Sequence, residues 1–368
     1  MADSISLCMI VKDEEAVLAR CLDSVRALVD EVIIVDTGST DRTAQIAAAY
    51  TDKVYSFDWC DDFAAARNFS FEKASGDYIL WLDADDIVLP DDLRQLLRIK
   101  KKGIGADVLM VRYNTGFDKL GRPTLSFYRE RILRRSMGFR WVGRVHEVIQ
   151  PRGKVLYTQA AITHHKLHRN DPGRNLRIFE TMRREGQPFD PRQQFYYGRE
   201  LYYAGAYDRA KKELQTFLQR PEGWVENQVE ACRTLSQCCR ALDDPSGALQ
   251  ALFSSFLYDQ PRAEVCCDIG HLFINRRQYR QAAYWYQQAA ARPRIEGGGF
   301  YSPACYDFIP FLQLCLCCDR LGDYQKAWDY NEKAAALRPD EPAVAHNRQY
   351  LGELLGRKQT KKRAKAAR

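Results

Sequence analysis

Long apolar runs are missing from this sequence. No stretch of the 368 residues approaches the roughly 18–20 consecutive apolar residues that a membrane helix needs. The first 15 residues also lack a basic segment ahead of an apolar one, which is the pattern of a secretory signal. We therefore expect no membrane span and a cytoplasmic location.

Cysteine is scarce in the first 231 residues and frequent after them. Only Cys8, Cys21 and Cys60 precede residue 232, although the chain has 12 cysteines. The others include Cys238-Cys239 and Cys266-Cys267, but no such pair has a partner pair at the spacing of a metal knuckle. We interpret these residues as reduced thiols that act as small apolar side chains within packed helices.

Acidic residues are absent from one end of the chain. Residues 356–368 contain seven basic side chains and no acidic one, and the chain as a whole carries +7 from 55 Lys+Arg against 48 Asp+Glu. Without that segment the chain has 48 charges of each sign, so a basic nucleic-acid-binding body is disfavoured and no nucleic-acid partner is expected. We predict a basic, disordered tail at residues 356–368.

Apolar runs and helical periods alternate over the first 85 residues. Strands are predicted at Ile5–Val11, Val32–Val35, Lys53–Phe57 and Tyr78–Leu82, with helical spacing of apolar residues between them. Continuous apolar strands that alternate with helices predict a mostly parallel sheet with both faces covered. Sheets of this class bind ligands beyond the carboxyl ends of their strands.

Acidic residues follow the predicted strand ends. They are Asp13-Glu14, Asp36, Asp58 with Asp61-Asp62, and Asp83-Ala84-Asp85-Asp86. An acidic edge repels a bare nucleotide diphosphate but holds one through a divalent metal. Asp83 and Asp85 flank Ala84, so that both carboxylates can face one ligand, and carboxylate oxygens suit Mg²⁺ or Mn²⁺. The alternative is helix capping by acidic loops, as at Asp91-Asp92.

Four sequence blocks together resemble the family-two GT-A glycosyltransferases. In chain order they are SLCMIVKDEE (6–15), IVDTGSTDRT (34–43), FAAARN (63–68) and GDYILWLDADD (76–86). The resemblance implies an α/β GT-A domain, Rossmann-like with a mostly parallel sheet, and a nucleotide-sugar donor, for which we expect a UDP-sugar.

The resemblance also implies roles for individual residues. The donor-binding set that it implies is Val11, Lys12, Glu14, Asp36, Arg67, Asp83 and Ala84. Within this set, Asp36 would recognise the base and Asp83 would lie near the ribose and the metal. Asp85 would be the principal metal ligand.

The segment Trp141-Val142-Gly143-Arg144-Val145-His146-Glu147 resembles the acceptor-side motif of GT-A enzymes that carry helical repeats. An inverting transfer needs a carboxylate that takes the proton of the acceptor. We expect Glu147 to be this base. His146 and Asp86 are the alternatives, and His146 is equally compatible with a core histidine.

Histidines are concentrated between residues 146 and 168, which contain four of the six in the chain. His164 follows a predicted strand at 155–162 and stands where the family supplies a histidine to the metal. A neutral imidazole beside carboxylates suits Mn²⁺. The metal set implied is therefore Asp85, His164 and Asp83, with Mn²⁺ or Mg²⁺ as cofactor. His165 leaves the register open by one residue.

Strand signals stop near residue 190 and a helical period replaces them. Gly198 precedes Ala210, and Gly270 precedes Ala282, each by 12 residues, as in tetratricopeptide repeats. Residues 190–355 resemble such repeats, and stacked repeats form a groove. We predict a GT-A domain at 1–180, helical repeats at 190–355 and the tail at 356–368.

This combination is similar to bacterial peptide and protein glycosyltransferases, including glycopeptide-bacteriocin S-glycosyltransferases. We therefore expect a metal-dependent, inverting transfer of a sugar to a peptide or protein that contacts the repeats. Transfer to a cell-envelope saccharide such as lipopolysaccharide core is one alternative. A catalytically inactive, repeat-based binding protein is another, and a homodimer through the last helices is left open.

Overall fold

The computed structural model describes residues 3–117, 121, 123–165, 173–294 and 301–366, with side chains described as far as Gly356. The chain divides into two compact units, residues 1–200 and 201–368. The first unit is α/β and the second is helical. The domain limits predicted from the sequence stay a prediction.

In the first unit, the described residues form ten strands and five complete α-helices. The strands are β1 (Ile5–Val11), β2 (Glu31–Asp36), β3 (Val54–Ser56), β4 (Tyr78–Trp81), β5 (Asp86–Ile87), β6 (Val108–Phe117), β7 (Pro123–Arg134), β8 (Trp141–Val142), β9 (Val148–Ile149) and β10 (Val155–His164). The helices are α1 (Leu18–Val25), α2 (Thr43–Ala48), α3 (Phe63–Glu72), α4 (Pro90–Lys102) and α5 (Arg174–Arg184), and α6 (Pro191–Tyr203) begins in this unit.

Eight strands form one sheet in the order β3-β2-β1-β4-β7-β6-β10-β5, and β8 pairs with β9 separately. The first four strands are parallel, as the sequence predicts. Strand β7 is antiparallel to both β4 and β6, and β10 is parallel to β6. Strands β1, β2, β3, β4, β6 and β10 therefore all run in one direction. Their carboxyl ends meet at one edge of the sheet.

Both faces of this sheet are covered by apolar side chains, which confirms the predicted α/β class. On β1, Leu7 and Met9 belong to a core that includes Leu18 and Leu22 of α1. The next residue, Cys8, faces the other way, into a core with Phe71 of α3. This alternation follows from the period of two in a strand.

The arginine-rich segment of residues 129–144 does not form one strand, although its alternating arginines and apolar residues are typical of one. Strand β7 ends at Arg134, because Arg135–Met137 form a 3₁₀ turn that closes on Gly138 at φ +61°. The sequence at residues 117–123 is rich in turn-forming residues, and this segment joins β6 to β7. Residues 118–120 and 122 within it lie outside the described part of the chain.

The described part of the second unit contains the end of α6 and eight further α-helices. They are α7 (Tyr207–Leu218), α8 (Val225–Ala241), α9 (Pro245–Ser254), α10 (Ala263–Asn275), α11 (Tyr279–Ala290), α12 (Phe308–Arg320), α13 (Tyr324–Leu337) and α14 (Pro342–Ala366). Consecutive helices of this series pack against one another. The predicted helical-repeat class is confirmed.

Small residues explain how these helices pack. Each of the helices α7, α9, α11 and α13 has an alanine with no exposed surface, namely Ala210, Ala248, Ala282 and Ala327. A Cβ atom on Gly270 would lie 2.8 Å from the ring of Tyr286, so α10 and α11 approach closely at this glycine. Eleven of the 12 cysteines are buried and all are free thiols, as the packing interpretation predicts.

Among the helices that the structure describes, we find none with the length and apolar character to cross a bilayer. Helix α14 extends through Ala366 and so includes most of the segment predicted as a tail. The glycine-rich segment of residues 294–301 is typical of a loop. Its residues 295–300 lie outside the described part of the chain.

Candidate active site

The loops after β1 and β2 are tied together at the carboxyl edge of the sheet. Asp13, at φ +53°, accepts a hydrogen bond at Oδ1 from the Thr40 amide at 2.7 Å. The Glu14 amide donates to Thr43 Oγ1 at 2.6 Å. Asp36 Oδ1 accepts from the amides of Gly38 and Ser39 at 3.1 and 2.9 Å. These bonds fix Asp36, whose Oδ2 has no hydrogen bond within the described residues.

Three further predicted donor residues lie in or beside the loop after β1. Val11 is buried, and its carbonyl accepts from the amide and the hydroxyl of Thr37 at 3.0 Å each. Lys12 is exposed at the edge. Glu14 is half-buried, and burial, followed by the negative charges of Asp85 and Asp83, raises its pKa to about 7. Negative charge therefore accumulates where a diphosphate and a metal would bind.

Arg67 on α3 joins the two halves of the predicted site. Its Nε donates to Glu147 Oε1 at 2.7 Å, and its Nη2 donates to Asp83 Oδ1 at 2.7 Å. The guanidinium lies 4.8 Å from the ring centre of Trp141 and 5.3 Å from that of Trp81. The sequence predicts both acids and this arginine for the site but does not predict that they form one ion-paired group.

The charge state of Asp83 follows from this pairing. Burial raises the pKa of its carboxyl, but the positive charges of Arg67 and Arg131 outweigh burial and hold the pKa at about 2. Asp83 is therefore ionised across the physiological range of pH.

Asp85, Asp86 and His164 form a cluster whose ligand atoms all lie within 4.8 Å of one another. His164 Nδ1 is 3.3 Å from Asp85 Oδ1 and 3.3 Å from Asp86 Oδ1. The cluster forms because β5 pairs with the end of β10, with His164 opposite Asp86, and the His165 amide donates to the Asp85 carbonyl at 2.9 Å. Carboxylate oxygens beside an imidazole fit a divalent cation such as Mn²⁺.

The protonation of His164 reflects these carboxylates. Burial lowers the pKa of the imidazole, but hydrogen bonds to Asp85 and Asp86 outweigh burial and raise it to about 10. In the absence of a cation the ring is therefore protonated at neutral pH, and a bound cation would replace a proton.

The cluster differs from the predicted metal set in one member. The structure brings His164 rather than His165 to the carboxylates, since His165 Nδ1 lies 3.1 Å from Arg20 Nη1. Asp83 pairs with Arg67, and Asp86 takes its place beside Asp85. Ala84 is buried between the two acids.

Asp86 does not qualify as the alternative base. Its side chain has no exposed surface, accepts from the Tyr113 hydroxyl at 2.9 Å and pairs with Arg131 at 3.1 Å. A carboxylate that is enclosed in this way is poorly placed to accept the proton of an acceptor. The DADD motif alone does not reveal which acid turns into the protein.

His146 is held by its surroundings. It lies at φ +50°, its Nε2 is 2.7 Å from Glu200 Oε1, and its ring stacks on Tyr196 with 4.0 Å between ring centres. The partner of His146 Nε2 is thus a carboxylate and not a backbone group. Glu147 lies beside it, with a side chain 12% exposed.

Sequence reasoning missed three residues that surround the acids. Trp81 is buried, and its ring lies within about 5 Å of three guanidinium groups, those of Arg67, Arg129 and Arg131. Tyr113 and Arg131 lie on β6 and β7 and contact Asp86. The only sequence signal for them is the alternation along β7, which places Arg129 and Arg131 on one face.

Residues 6–161 match the family described as Glycosyl transferase family 2. A lipopolysaccharide core biosynthesis glycosyltransferase, LpsC, of Rhizobium meliloti is 30% identical over 159 residues, 41% of this chain and 58% of that protein. The SPbeta prophage-derived glycosyltransferase SunS of Bacillus subtilis is 26% identical over 232 residues, 57% of this chain and 53% of that protein.

A TPR repeat-containing protein of Synechococcus elongatus is 56% identical over 82 residues, 22% of this chain and 20% of that protein. The chain thus spans between a fifth and three fifths of the length of these relatives. A crystal structure of MamA is 19% identical with a TM-score of 0.36, over 43% of this chain and 84% of MamA.

Residues 6–161 thus resemble a family 2 glycosyltransferase domain and fold around a GT-A-like sheet, and the helices that follow are tetratricopeptide-like.

Proposed function

We propose that this protein transfers a sugar, with inversion, from a nucleotide diphosphate sugar to a nucleophile on an acceptor. The observation that carries the proposal is the cluster of Asp85, Asp86 and His164 beside the Asp83–Arg67 pair, at the carboxyl edge of a family 2 domain. Ligands of open α/β sheets bind at this edge. The geometry agrees with a donor site because the acids follow β4 and the histidine ends β10, and both strands end at this edge.

The donor is proposed to be a UDP-sugar that lies across the loops after β1 and β2. Asp36, fixed through Oδ1, presents Oδ2 to the N–H groups of the base. Val11, Lys12 and Glu14 line the nucleoside site. Asp83 and Ala84 lie between the nucleoside and the metal, and Arg67 holds Asp83 in place.

The proposed cofactor is Mn²⁺ or Mg²⁺, held by Asp85 and His164 with Asp83 nearby. When bound, the metal neutralises charge on the departing diphosphate. The pairing of β5 with β10 supports this proposal because it brings Asp85 and His164 close together. The raised pKa of His164 shows how strongly the acids favour positive charge at this point.

Glu147 is the proposed base. Its Oε1 accepts from Arg67, while Oε2 has no hydrogen bond within the described residues and can accept the proton of the acceptor. The single guanidinium of Arg67 therefore orients the proposed general base, Glu147, and also holds Asp83.

The proposed acceptor is a peptide or protein side chain that contacts the helical repeats, because stacked repeats present a groove. Transfer to lipopolysaccharide core is the second candidate, since the relative LpsC is named for that pathway. Intact-mass analysis separates the two, because a peptide acceptor gains the mass of one sugar. Self-association through the last helices stays a prediction that sedimentation velocity tests.

The donor assignment is tested by calorimetry with several nucleotide sugars in the presence of Mn²⁺. We expect binding and slow hydrolysis of a UDP-sugar by the wild type, and loss of both in Asp85→Asn. Asp77→Asn is the matched control, because Asp77 precedes β4 and bonds Ser4 at the opposite edge of the sheet. No binding of any nucleotide sugar by the wild type would contradict the proposal.

A further inference from the structure

We propose that Asp86, backed by Arg131 and Tyr113, is the residue that positions His164 for the metal. The inference rests on the proposed function, because it concerns the same metal site. It assigns Asp86 a place behind the ligands rather than among them, and it makes Arg131 and Tyr113 part of the site although both lie away from the motif.

Both oxygens of the Asp86 carboxylate are engaged by the protein. Oδ1 accepts from the Tyr113 hydroxyl at 2.9 Å and lies 3.3 Å from His164 Nδ1. Oδ2 accepts from the Asp83 amide at 3.1 Å and forms an ion pair with Arg131 Nη1 at 3.1 Å. The Asp86 side chain has no exposed surface, whereas that of Asp85 is 16% exposed. Asp85 is therefore the more accessible of the two carboxylates for a cation.

Arg131 is a buried cation whose surroundings fix the orientation of Asp86. It has no exposed surface, and its guanidinium lies 3.7 Å from the ring centre of Trp81 and 4.3 Å from that of Tyr113. Its Nη1 donates also to the Trp81 carbonyl at 3.1 Å, while Nε and Nη2 find no partner within the described residues. A buried ion pair is a poor source of stability. We therefore assign this pair a role in fixing geometry rather than in stability.

The consequence for His164 follows from the chemistry of imidazole. His164 Nδ1 lies 3.3 Å from Asp86 Oδ1 and also 3.3 Å from Asp85 Oδ1. A ring whose Nδ1–H is held by Asp86 keeps its Nε2 lone pair for a cation and leaves Asp85 free to bind the same cation. Carboxylates that hold the second nitrogen of a ligating histidine fix the ring and raise its basicity, and their loss weakens metal binding about 10- to 100-fold. Tyr113 supports this arrangement from both sides, since its hydroxyl bonds Asp86 and its ring lies 5.7 Å from that of His164.

The test measures Mn²⁺ affinity by electron paramagnetic resonance, with Mn²⁺ alone as the probe. Tyr113→Phe removes one hydrogen bond from Asp86 and keeps the ring, and we expect affinity to fall about three- to tenfold. Asp86→Asn should lower it about 10- to 100-fold. The matched control is Tyr78→Phe, because Tyr78 is also buried in the sheet and its hydroxyl donates to Ala106 at 2.9 Å near the opposite edge.

The controls separate positioning from stability. Tyr78→Phe should lower the melting temperature as much as Tyr113→Phe does and leave Mn²⁺ affinity unchanged. Calorimetry with UDP at saturating Mn²⁺ should give the wild-type UDP affinity for Tyr113→Phe. Unchanged Mn²⁺ affinity in both Tyr113→Phe and Asp86→Asn, with a wild type that binds Mn²⁺, would overturn this inference alone. A wild type that binds UDP but no Mn²⁺ would overturn the metal site and this inference together. No binding of UDP-sugars would overturn the donor assignment instead.

Discussion

Arg67 is a single residue on which both halves of the proposed reaction depend. Its side chain is 10% exposed and divides its donors between Glu147, on the acceptor side, and Asp83, on the donor side. A lysine could not replace it, because one ammonium cannot present two N–H groups in the fixed plane of a guanidinium. One carboxylate oxygen of Glu147 therefore binds Arg67, and the other is the one proposed to accept the proton.

At this scale the sharpest prediction concerns Glu147→Gln. Glutamine still offers Oε1 to Arg67, so we expect UDP-sugar affinity within threefold of wild type. An amide cannot accept the proton, so transfer should fall about 10²- to 10⁴-fold. Glu185→Gln is the control, because Glu185 pairs with Arg144 at 2.9 Å on the surface and should retain full activity. Calorimetry and initial rates of sugar transfer measure the two effects, and transfer near the wild-type rate in Glu147→Gln would place the base elsewhere.

At the scale of the element, the sheet is fixed at its amino edge by Glu31, the first residue of β2. Glu31 bonds Ser6 of β1 and Lys53 ahead of β3, and it accepts from the amide and hydroxyl of Ser75 ahead of β4 at 2.9 Å each. Burial raises its pKa, but these bonds outweigh burial and lower the pKa to about 2. One carboxylate thus joins the starts of four strands.

The pKa of Glu31 predicts a pH dependence of stability. Because the folded-state pKa lies below the ordinary value of 4.5, the stabilisation is fully present above about pH 4.5 and is lost as pH falls toward 2. We expect Glu31→Gln to lower the free energy of unfolding by about 2 kcal/mol at pH 7, and the difference from wild type to shrink below pH 4.5. Denaturant titrations between pH 3 and 7 measure it. Glu72→Gln, at an exposed pair with Arg140, should show no such trend, and a constant difference for Glu31→Gln would contradict the assignment.

How much of these elements could be predicted depends on how local the signal is. Asp36, Asp83 and Asp85 follow apolar strands directly, so their meeting at one edge follows from parallel order. The contact between His164 and Asp86 does not follow from parallel order. It depends on the two-residue strand β5, which pairs with β10 some 78 residues later in the chain. Tyr113 and Arg131 reach Asp86 from a hairpin whose register shifts between Leu109 and Met110. Alternation in the sequence does not fix the face of a strand across such a shift.

The helical unit allows a prediction from a matched pair of glycines. A Cβ on Gly270 would meet the Tyr286 ring at 2.8 Å, whereas a Cβ on Gly352 would meet Trp328 at an ordinary 3.5 Å. Gly270→Ala should therefore lower the free energy of unfolding by about 1–3 kcal/mol. Gly352→Ala should raise it by about 0.5–1 kcal/mol, because alanine loses less backbone freedom in a helix. Thermal unfolding followed by circular dichroism distinguishes the two, and destabilisation by both would refute the packing account.

At the scale of the whole molecule, charge is separated along the chain. The seven basic residues of 356–368 account for the entire +7, and the remainder has 48 charges of each sign. The residues proposed to bind the donor and the metal lie between Val11 and His164, and four of these nine residues are acidic. The positive charge that balances a bound diphosphate therefore comes either from a bound cation and Arg67 or from the basic end. The two possibilities predict different effects of removing the basic end.

We expect the basic end to contribute nothing to donor binding. Replacing its seven basic residues with glutamine should abolish retention on a cation exchanger at pH 7, because the remaining chain is formally neutral. The affinity for UDP in the presence of Mn²⁺ should stay within twofold, since charges that make no contact are screened beyond a Debye length of about 8 Å at physiological ionic strength. Calorimetry at low and physiological salt measures this. A tenfold loss of UDP affinity would show that the basic end contacts the diphosphate and would remove the argument that only a divalent cation can offset the acids at this edge.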